Sequence, residues 1–190
     1  MAQTPHRTTG LTYDDLVGMF PEQDNKRREL IDGELIVTAS PSLDHQGVVT
    51  RLLVALHVYA RAAGGEAFPA PLDIIFSEAN VVEPDVVYVG PDKLDGSERR
   101  FLRAADVVVE VSSPSTRRLE LVRKRRLYER FGVPEYWFVD LDADRIEVYR
   151  RHGAAFGGPS LLSRGDALES PLLPGWRVTV DEVLGPSAPD

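Results

Sequence analysis

Cysteine is absent from all 190 residues. That excludes a disulfide framework and thiolate metal sites, and it leaves oxygen or histidine ligands for any bound metal. No apolar run approaches the ~20 residues of a membrane-spanning helix, and Met1 to Gly10 lacks the apolar stretch of a signal peptide. The expectation is a cytoplasmic protein with no membrane partner. An excess of positive charge is also missing. With 22 Lys and Arg against 30 Asp and Glu, the formal net charge is -8. This argues against a nucleic-acid binder held by bulk charge, though it leaves room for a local basic groove. Repeats and composition-shifted linkers are lacking as well. A chain of this length reads as one domain that buries a core without staples, with the core at about 11–184 and frayed termini.

The pattern along the chain is that of an α+β protein. Thr12 caps a short helix whose apolar side is Leu16 and Phe20, and Pro21 closes it. Residues 28–39 form two apolar runs joined at Asp32-Gly33, which signals a hairpin, with Glu34 just after the turn. From Ser42 to about Ala63 a helix places Val49, Leu52, Leu56 and Tyr59 on one face, and Gly64-Gly65 stops it. His45 extends that inner face towards the helix start. Residues 71–76 and 85–89 are β-branched strands. Pro84 cannot donate a ladder hydrogen bond, so it fits a strand end and leaves Asp85 at a sheet rim. Pro91 to Arg103, with Asp95-Gly96, reads as a surface loop, mobile and close to the site. Tyr136 to Val139 is a buried strand with a hairpin mate at Asp144 to Tyr149, and 171–184 reads as a final strand and turn of helix.

Residues 105–140 carry the chemistry. Val107-Val108-Val109-Glu110-Val111 is a β-branched run of the kind buried on both faces, interrupted by one carboxylate. Ionised Glu110 there carries a desolvation cost of several kcal/mol unless a cation, a metal or hydrogen bonds compensate it. Ser113-Pro114-Ser115-Thr116 offers a turn and cap for a helix running to about Phe131, ended by Gly132 and Pro134. At ~100° per residue, Leu121, Leu127, Tyr128 and Phe131 fall within about 60° of Lys124, which puts this lysine in the middle of the apolar stripe. Glu120 lies on the same stripe. Arg123, Arg126 and Arg130 project outward, where they could meet phosphates.

Asp85 and Glu110 supply hard oxygen ligands of the kind Mg²⁺ or Mn²⁺ takes, and Lys124 supplies a cation beside them. In phosphodiester hydrolysis the carboxylates hold the metal, which polarises the phosphate and lowers the pKa of bound water. The lysine orients that water or stabilises charge on the phosphoryl oxygens.

The phrases Glu29-Leu-Ile-Asp-Gly-Glu34, Asp44-His45-Gln46, Glu83-Pro84-Asp85, Val109-Glu110-Val111 with Ser113-Pro114-Ser115-Thr116, and Gly132-Val-Pro-Glu-Tyr-Trp137 resemble the Uma-two family of the PD-(D/E)XK nuclease superfamily. The resemblance runs from about Leu11 to Leu184. It implies a restriction-endonuclease-like core: a mixed sheet flanked by helices in the order helix, three strands, helix, strand, with an N-terminal hairpin and C-terminal β additions. It also implies Mg²⁺-dependent cleavage of nucleic acid, DNA in the first place, with Asp85 and Glu110 as metal ligands. The superfamily's lysine two residues after the strand glutamate is replaced by Ser112, and Lys124 from the next helix stands in for it. Glu34, as an outer metal ligand, and Glu120, as a partner behind the ligands, are auxiliary acids, with His45 beside them.

Other readings stay open. Glu110 and Lys124 also suit a buried ion pair that fixes strand to helix, and the basic helix suits a solvated face. The whole chain could be a catalytically silent nucleic-acid-binding or assembly domain of this fold, or a metal-dependent hydrolase of another phosphoester. A homodimer is compatible with any of these.

Overall fold

The long helix is built as its sequence dictates. Ser42 accepts a hydrogen bond from the backbone N–H of His45, and α2 (Leu43–Ala63) then buries Val48, Val49, Leu52, Leu56 and Ala60 along one side. Gly64 ends it in the left-handed conformation and donates its N–H to Ala60 O, as such caps do. The computed structural model containing this helix describes residues 10–20, 26–38, 40–94, 100–112 and 119–186. The expectations for the frayed termini, for the Asp95-Gly96 turn and for the Ser113–Thr116 cap lie outside the described residues. None of the described helices is long and apolar enough to cross a membrane.

Among the described residues the strands form three sheets. The first is the N-terminal hairpin, β1 (Arg27–Ile31) and β2 (Glu34–Thr38), extended by β5 (Asn80–Val82) and β4 (Ile74–Ser77) in the order β2-β1-β5-β4. The core sheet places β3 (Glu66–Pro69) at one edge beside β6 (Val86–Val89), followed by β7 (Val107–Val111), β8 (Glu135–Asp140) and β9 (Arg145–His152). All these neighbours are antiparallel except β7 and β8. A parallel pair requires a crossover, and the chain between Ser112 and Pro134 supplies one. β10 (Ala155–Phe156) and β11 (Ser160–Ser163) both pair with β9. β12 (Ala167–Glu169) pairs with β13 (Arg177–Thr179), and α4 (Val180–Leu184) follows under a Thr179–Glu182 capping box.

This is the expected α+β core of helix, three strands, helix and strand, with one strand exchanged. The segment at 71–76 becomes strand only from Ile74, and it joins the hairpin sheet instead of the core. The core position belongs to β3, whose Glu66, Ala67 and Pro69 carry little β propensity. Pairing with β6 alone at the sheet edge lets Pro69 sit there. The crossover helix also differs from the expectation. Leu119–Lys124 is wound as a π-helix and only α3 (Arg125–Arg130) is α-helical.

Alternation along the core strands sorts side chains onto two faces. Val86, Tyr88, Val107, Val109, Val111, Trp137, Val139, Ile146 and Val148 pack with α2 and α4. Val87, Val89, Val108, Tyr136, Phe138 and Tyr149 pack with Leu127 and Tyr128 of α3, and with Ile31, Ile74 and Val82 from the inner face of the hairpin sheet. Leu30, Ile75 and Val81, on that sheet's outer face, lie under Leu16 of α1 (Tyr13–Met19). The second face, between the two sheets, is where Asp85 and Glu110 fall, because they share parity with Val87 and Val108.

The hairpin turn is tightly specified. Asp32 and Gly33 both have positive φ, at 54° and 74°, as a two-residue turn between twisted strands requires. A Cβ on Gly33 would lie 3.0 Å from the Cα of Gly10. Gly33→Ala is expected to cost at least about 1–2 kcal/mol from the left-handed backbone alone, seen as a fall in thermal midpoint of about 2–4 °C per kcal/mol. An unchanged midpoint would mean that the turn is not held in this form.

Candidate functional site

Register brings the two acids together. β6 and β7 pair Val86 with Val109, so the next residues outward, Asp85 and Glu110, stand opposite one another on the same face. The backbone N–H of Val111 donates to Asp85 Oδ2 at 2.7 Å, extending the ladder through a side chain. Both carboxylates are buried, Asp85 at 2% exposure and Glu110 at 0%. Desolvation on this scale demands compensation, and it comes from two cations on two different elements.

The first cation is Arg27 on β1. Its Nη1 lies 2.7 Å from Asp85 Oδ1 and its Nη2 lies 3.5 Å from Glu110 Oε2, so one guanidinium spans both acids. The second is Lys124, with a fully buried side chain. Its Nζ is 2.9 Å from Glu110 Oε1 and 2.7 Å from Glu29 Oε1. Tyr128, one turn further along, donates its hydroxyl to Glu110 Oε1 at 2.5 Å. Glu29 Oε1 also accepts the backbone N–H of Glu83 at 2.8 Å. His45, at the start of α2, comes round the sheet rim to place Nε2 3.3 Å from Asp85 Oδ2.

These surroundings push the two acids in opposite directions. Burial alone would raise the Asp85 pKa, but Arg27, His45 and the Val111 N–H together bring it well below the usual carboxylate range. For Glu110 burial prevails over Lys124 and Arg27, and its pKa is raised. Arg27 is held more firmly charged than a free guanidinium, since Asp85, Glu29 and Glu110 outweigh its desolvation. Burial and the adjacent Glu110 raise the Tyr128 phenol far above its ordinary value, so it remains a hydrogen-bond donor. Glu83, next to the site, is pushed up to about 7, chiefly by burial.

The donor chemistry of the acid pair fits a hard divalent cation. The converging ligands are oxygens, and Glu110 Oε2 is buried without a hydrogen-bond partner, as is Glu29 Oε2. Among the described residues no three His, Asp or Glu side chains close around one point. A divalent ion here would therefore take Asp85 and Glu110 and complete its shell with water or substrate, the usual Mg²⁺ arrangement.

The structure thus gathers Asp85, Glu110, Lys124 and His45 from the residues singled out in the sequence. It does not gather Glu34. That side chain lies on β2, one strand further from β7 and beside the turn, half-exposed and bonded to Arg123 at 2.8 Å. The hairpin acid that reaches the site is Glu29. The side chain of Glu120 lies outside what the structure describes. Arg126 is exposed as expected. Arg123 and Arg130 also face solvent but already hold acids, Arg123 with Glu34 and Arg130 with Asp32 at 2.7 Å. Such exposed pairs are worth about 0–1 kcal/mol, weak enough to exchange for phosphate. Arg27, Glu29 and Tyr128 were missed. Their signal was present: Arg27, Glu29 and Ile31 alternate on one face of a strand, and Tyr128 follows Lys124 by one helical turn.

Comparison with known proteins bears on this arrangement. The Uma2 family, described as "Putative restriction endonuclease", matches residues 12–181. No curated protein matches the sequence. Among solved structures, a crystal structure described as a putative nuclease belonging to DUF820, from Anabaena variabilis ATCC 29413, superposes with a TM-score of 0.78 at 16% identity. It covers 92% of this chain and 97% of that one. At that identity the likeness is one of fold.

Two stability measurements check the site. Lys124→Met leaves Glu29 and Glu110 without their shared ammonium, and the expected cost is about 3–5 kcal/mol in denaturant unfolding. Adding Glu110→Leu should recover only part of it, because Glu29 still lacks its short ammonium contact. Full recovery would show that Lys124 does not serve both acids. The second concerns pH. Glu83 binds its proton more tightly folded, at about 7, than at its ordinary 4.5. Its contribution to stability is therefore full below about pH 4.5 and is lost as pH rises towards 7. In chelator, Glu83→Gln should gain stability relative to wild type across that window, by up to about 1.4 kcal/mol per pH unit. A pH-independent difference would refute the shift.

Proposed function

Because the chain belongs to the Uma2 family, we propose that it is a divalent-metal-dependent nuclease that hydrolyses phosphodiester bonds of DNA. One observation carries the reading: two buried carboxylates, Asp85 at the entry to β6 and Glu110 on β7, share a single cation, the Arg27 guanidinium, and a cation that can sit there can be a metal. Mg²⁺ or Mn²⁺ held there would polarise the phosphate and acidify a bound water. Asp85 is fixed by the Val111 N–H and by His45 on one oxygen, so the other is presented towards the cation position. Glu110 is fixed in the same way. Lys124 and Tyr128 take Oε1, leaving Oε2 facing Arg27.

Lys124 contributes positive charge behind the acids. It orients Glu110 and stabilises negative charge that develops on a phosphate beside the pair. Arg123, Arg126 and Arg130 form the local basic face on an acidic protein, and they meet phosphates without reading bases, by exchanging Glu34 and Asp32 for the backbone of the nucleic acid.

A second reading has its own support. Arg27 already neutralises the acid pair, and Lys124 is committed to two carboxylates. Those contacts suit a silent nucleic-acid-binding domain equally well. Plasmid and oligonucleotide cleavage in Mg²⁺ and in Mn²⁺, with Mn²⁺ affinity measured by calorimetry, decides between them. For a nuclease, Asp85→Ala should lose both cleavage and metal binding. Lys124→Ala should keep metal binding while its rate falls by about 10²-fold or more. The Arg123, Arg126 and Arg130 triple alanine variant should bind all sequences more weakly with a flatter salt dependence. DNA binding with neither metal affinity nor cleavage would establish the silent domain instead.

A further inference from the structure

We propose that Arg27 is an exchangeable occupant of the metal position: its guanidinium holds Asp85 and Glu110 in the metal-free protein, and a divalent cation and Arg27 compete for that carboxylate pair. The inference rests on the metal-dependent reading above and adds to it a residue that governs loading.

Three observations carry it. The first is position. Arg27 reaches one oxygen of each acid, Asp85 Oδ1 and Glu110 Oε2, the atoms left over once Val111, His45, Lys124 and Tyr128 have taken the others. Asp85 and Glu110 would hold a metal through oxygens the protein has not already taken, and Arg27 stands against those oxygens. The second is charge. With Glu29, Asp85 and Glu110 all ionised, as metal binding would require of the pair, and His45 and Glu83 left aside, Arg27 and Lys124 leave one negative charge in excess. Adding a divalent ion on top of Arg27 would overshoot to one positive charge. Exchanging Arg27 for the ion brings the buried group to neutrality.

The third observation is that Arg27 makes only one short contact. Nη1 bonds Asp85 at 2.7 Å, but Nε and Nη2 are buried without hydrogen-bond partners, and their ion pairs are long, 4.0 Å to Glu29 and 3.5 Å to Glu110. Lys124, by contrast, makes two short contacts and is fully buried. Arg27 also has a way out, because its side chain is 17% exposed at the first position of β1, next to exposed Lys26. The more weakly anchored cation is the one nearer solvent. Arg27 is in these terms a positioning residue, which neutralises and holds the two acids in the metal-free protein and yields when the metal arrives.

The test is Mn²⁺ affinity of the full chain, wild type against Arg27→Met, by calorimetry, with thermal midpoints in chelator and in saturating Mn²⁺. Arg27→Met should bind Mn²⁺ at least about tenfold more tightly, lose thermal midpoint in chelator, and regain more than wild type does on adding Mn²⁺. A structural arginine whose loss merely loosens the site would weaken the metal, and equal or weaker affinity in the variant overturns the inference while leaving the nuclease reading intact. Should the variant fail to fold, the wild-type protein carries the test. The Arg27 side-chain Nε–H resonance, followed by ¹⁵N NMR through a Mg²⁺ titration, should move with saturation of the site, and a resonance that stays put at saturation overturns the exchange. Absence of Mn²⁺ binding by both proteins would overturn the metal reading and the inference together.

Discussion

Three carboxylates buried between two sheets cannot remain ionised without cations brought in from elsewhere, and that requirement organises this molecule. Glu110 is on the core sheet, Asp85 at its rim and Glu29 on the hairpin sheet. Arg27 crosses from the hairpin sheet to the core acids, while Lys124 comes from the crossover between the two parallel strands and serves both sheets at once. The docking of hairpin sheet, core sheet and crossover helix is therefore electrostatic at its centre and apolar around it, where Ile31, Ile74, Val82, Val108, Leu127 and Phe138 close the seam. Uncompensated burial of even one such charge costs several kcal/mol, a large share of what holds a domain folded.

Much of this was legible in the chain. The helix from Ser42 and the hairpin at Asp32-Gly33 are signalled by local chemistry, a cap and a turn dipeptide, and both appear where those residues put them. Local signals failed where tertiary context decides. Glu66 to Pro69 carries no strand signal and is a core strand, because an edge position tolerates a proline and needs only one partner. The 71–76 segment looks like a core strand and serves the other sheet, because strand propensity says nothing about which sheet a strand joins. The π-helical winding before Arg125 has no counterpart in a 100° wheel, yet the inward stripe holds: Lys124, Leu127 and Tyr128 are all buried.

The site divides in the same way. Glu110 and Lys124 announce themselves because a charge inside an apolar pattern is an anomaly that burial must resolve, and the structure resolves it by joining them. Arg27 and Glu29 were hidden in plain view, since Lys26-Arg27-Arg28-Glu29 reads as solvated charge unless the strand's alternation is followed through the polar residues as well as the apolar ones. Glu34 was misplaced for the complementary reason. It faces the same side as Ile31, its cross-strand partner, but stands one strand too far out, and lateral position in a sheet leaves no mark on a single strand's sequence.

The separation of these residues along the chain has a bearing on assembly. Arg27 and Asp85 are 58 residues apart, and a long helix and four strands lie between them. Contacts of such span form late, after loop-closure entropy has been overcome by packing elsewhere. During synthesis the hairpin emerges with its arginine and glutamate still hydrated, and their partners follow in turn with Glu83, Asp85, Glu110 and last Lys124 of the crossover helix. The complete cluster needs residues from 27 to 124, so a chain that has not yet delivered the crossover helix cannot present it to a nucleic acid or to a metal. The chemistry of the site is in that sense gated by completion of the fold.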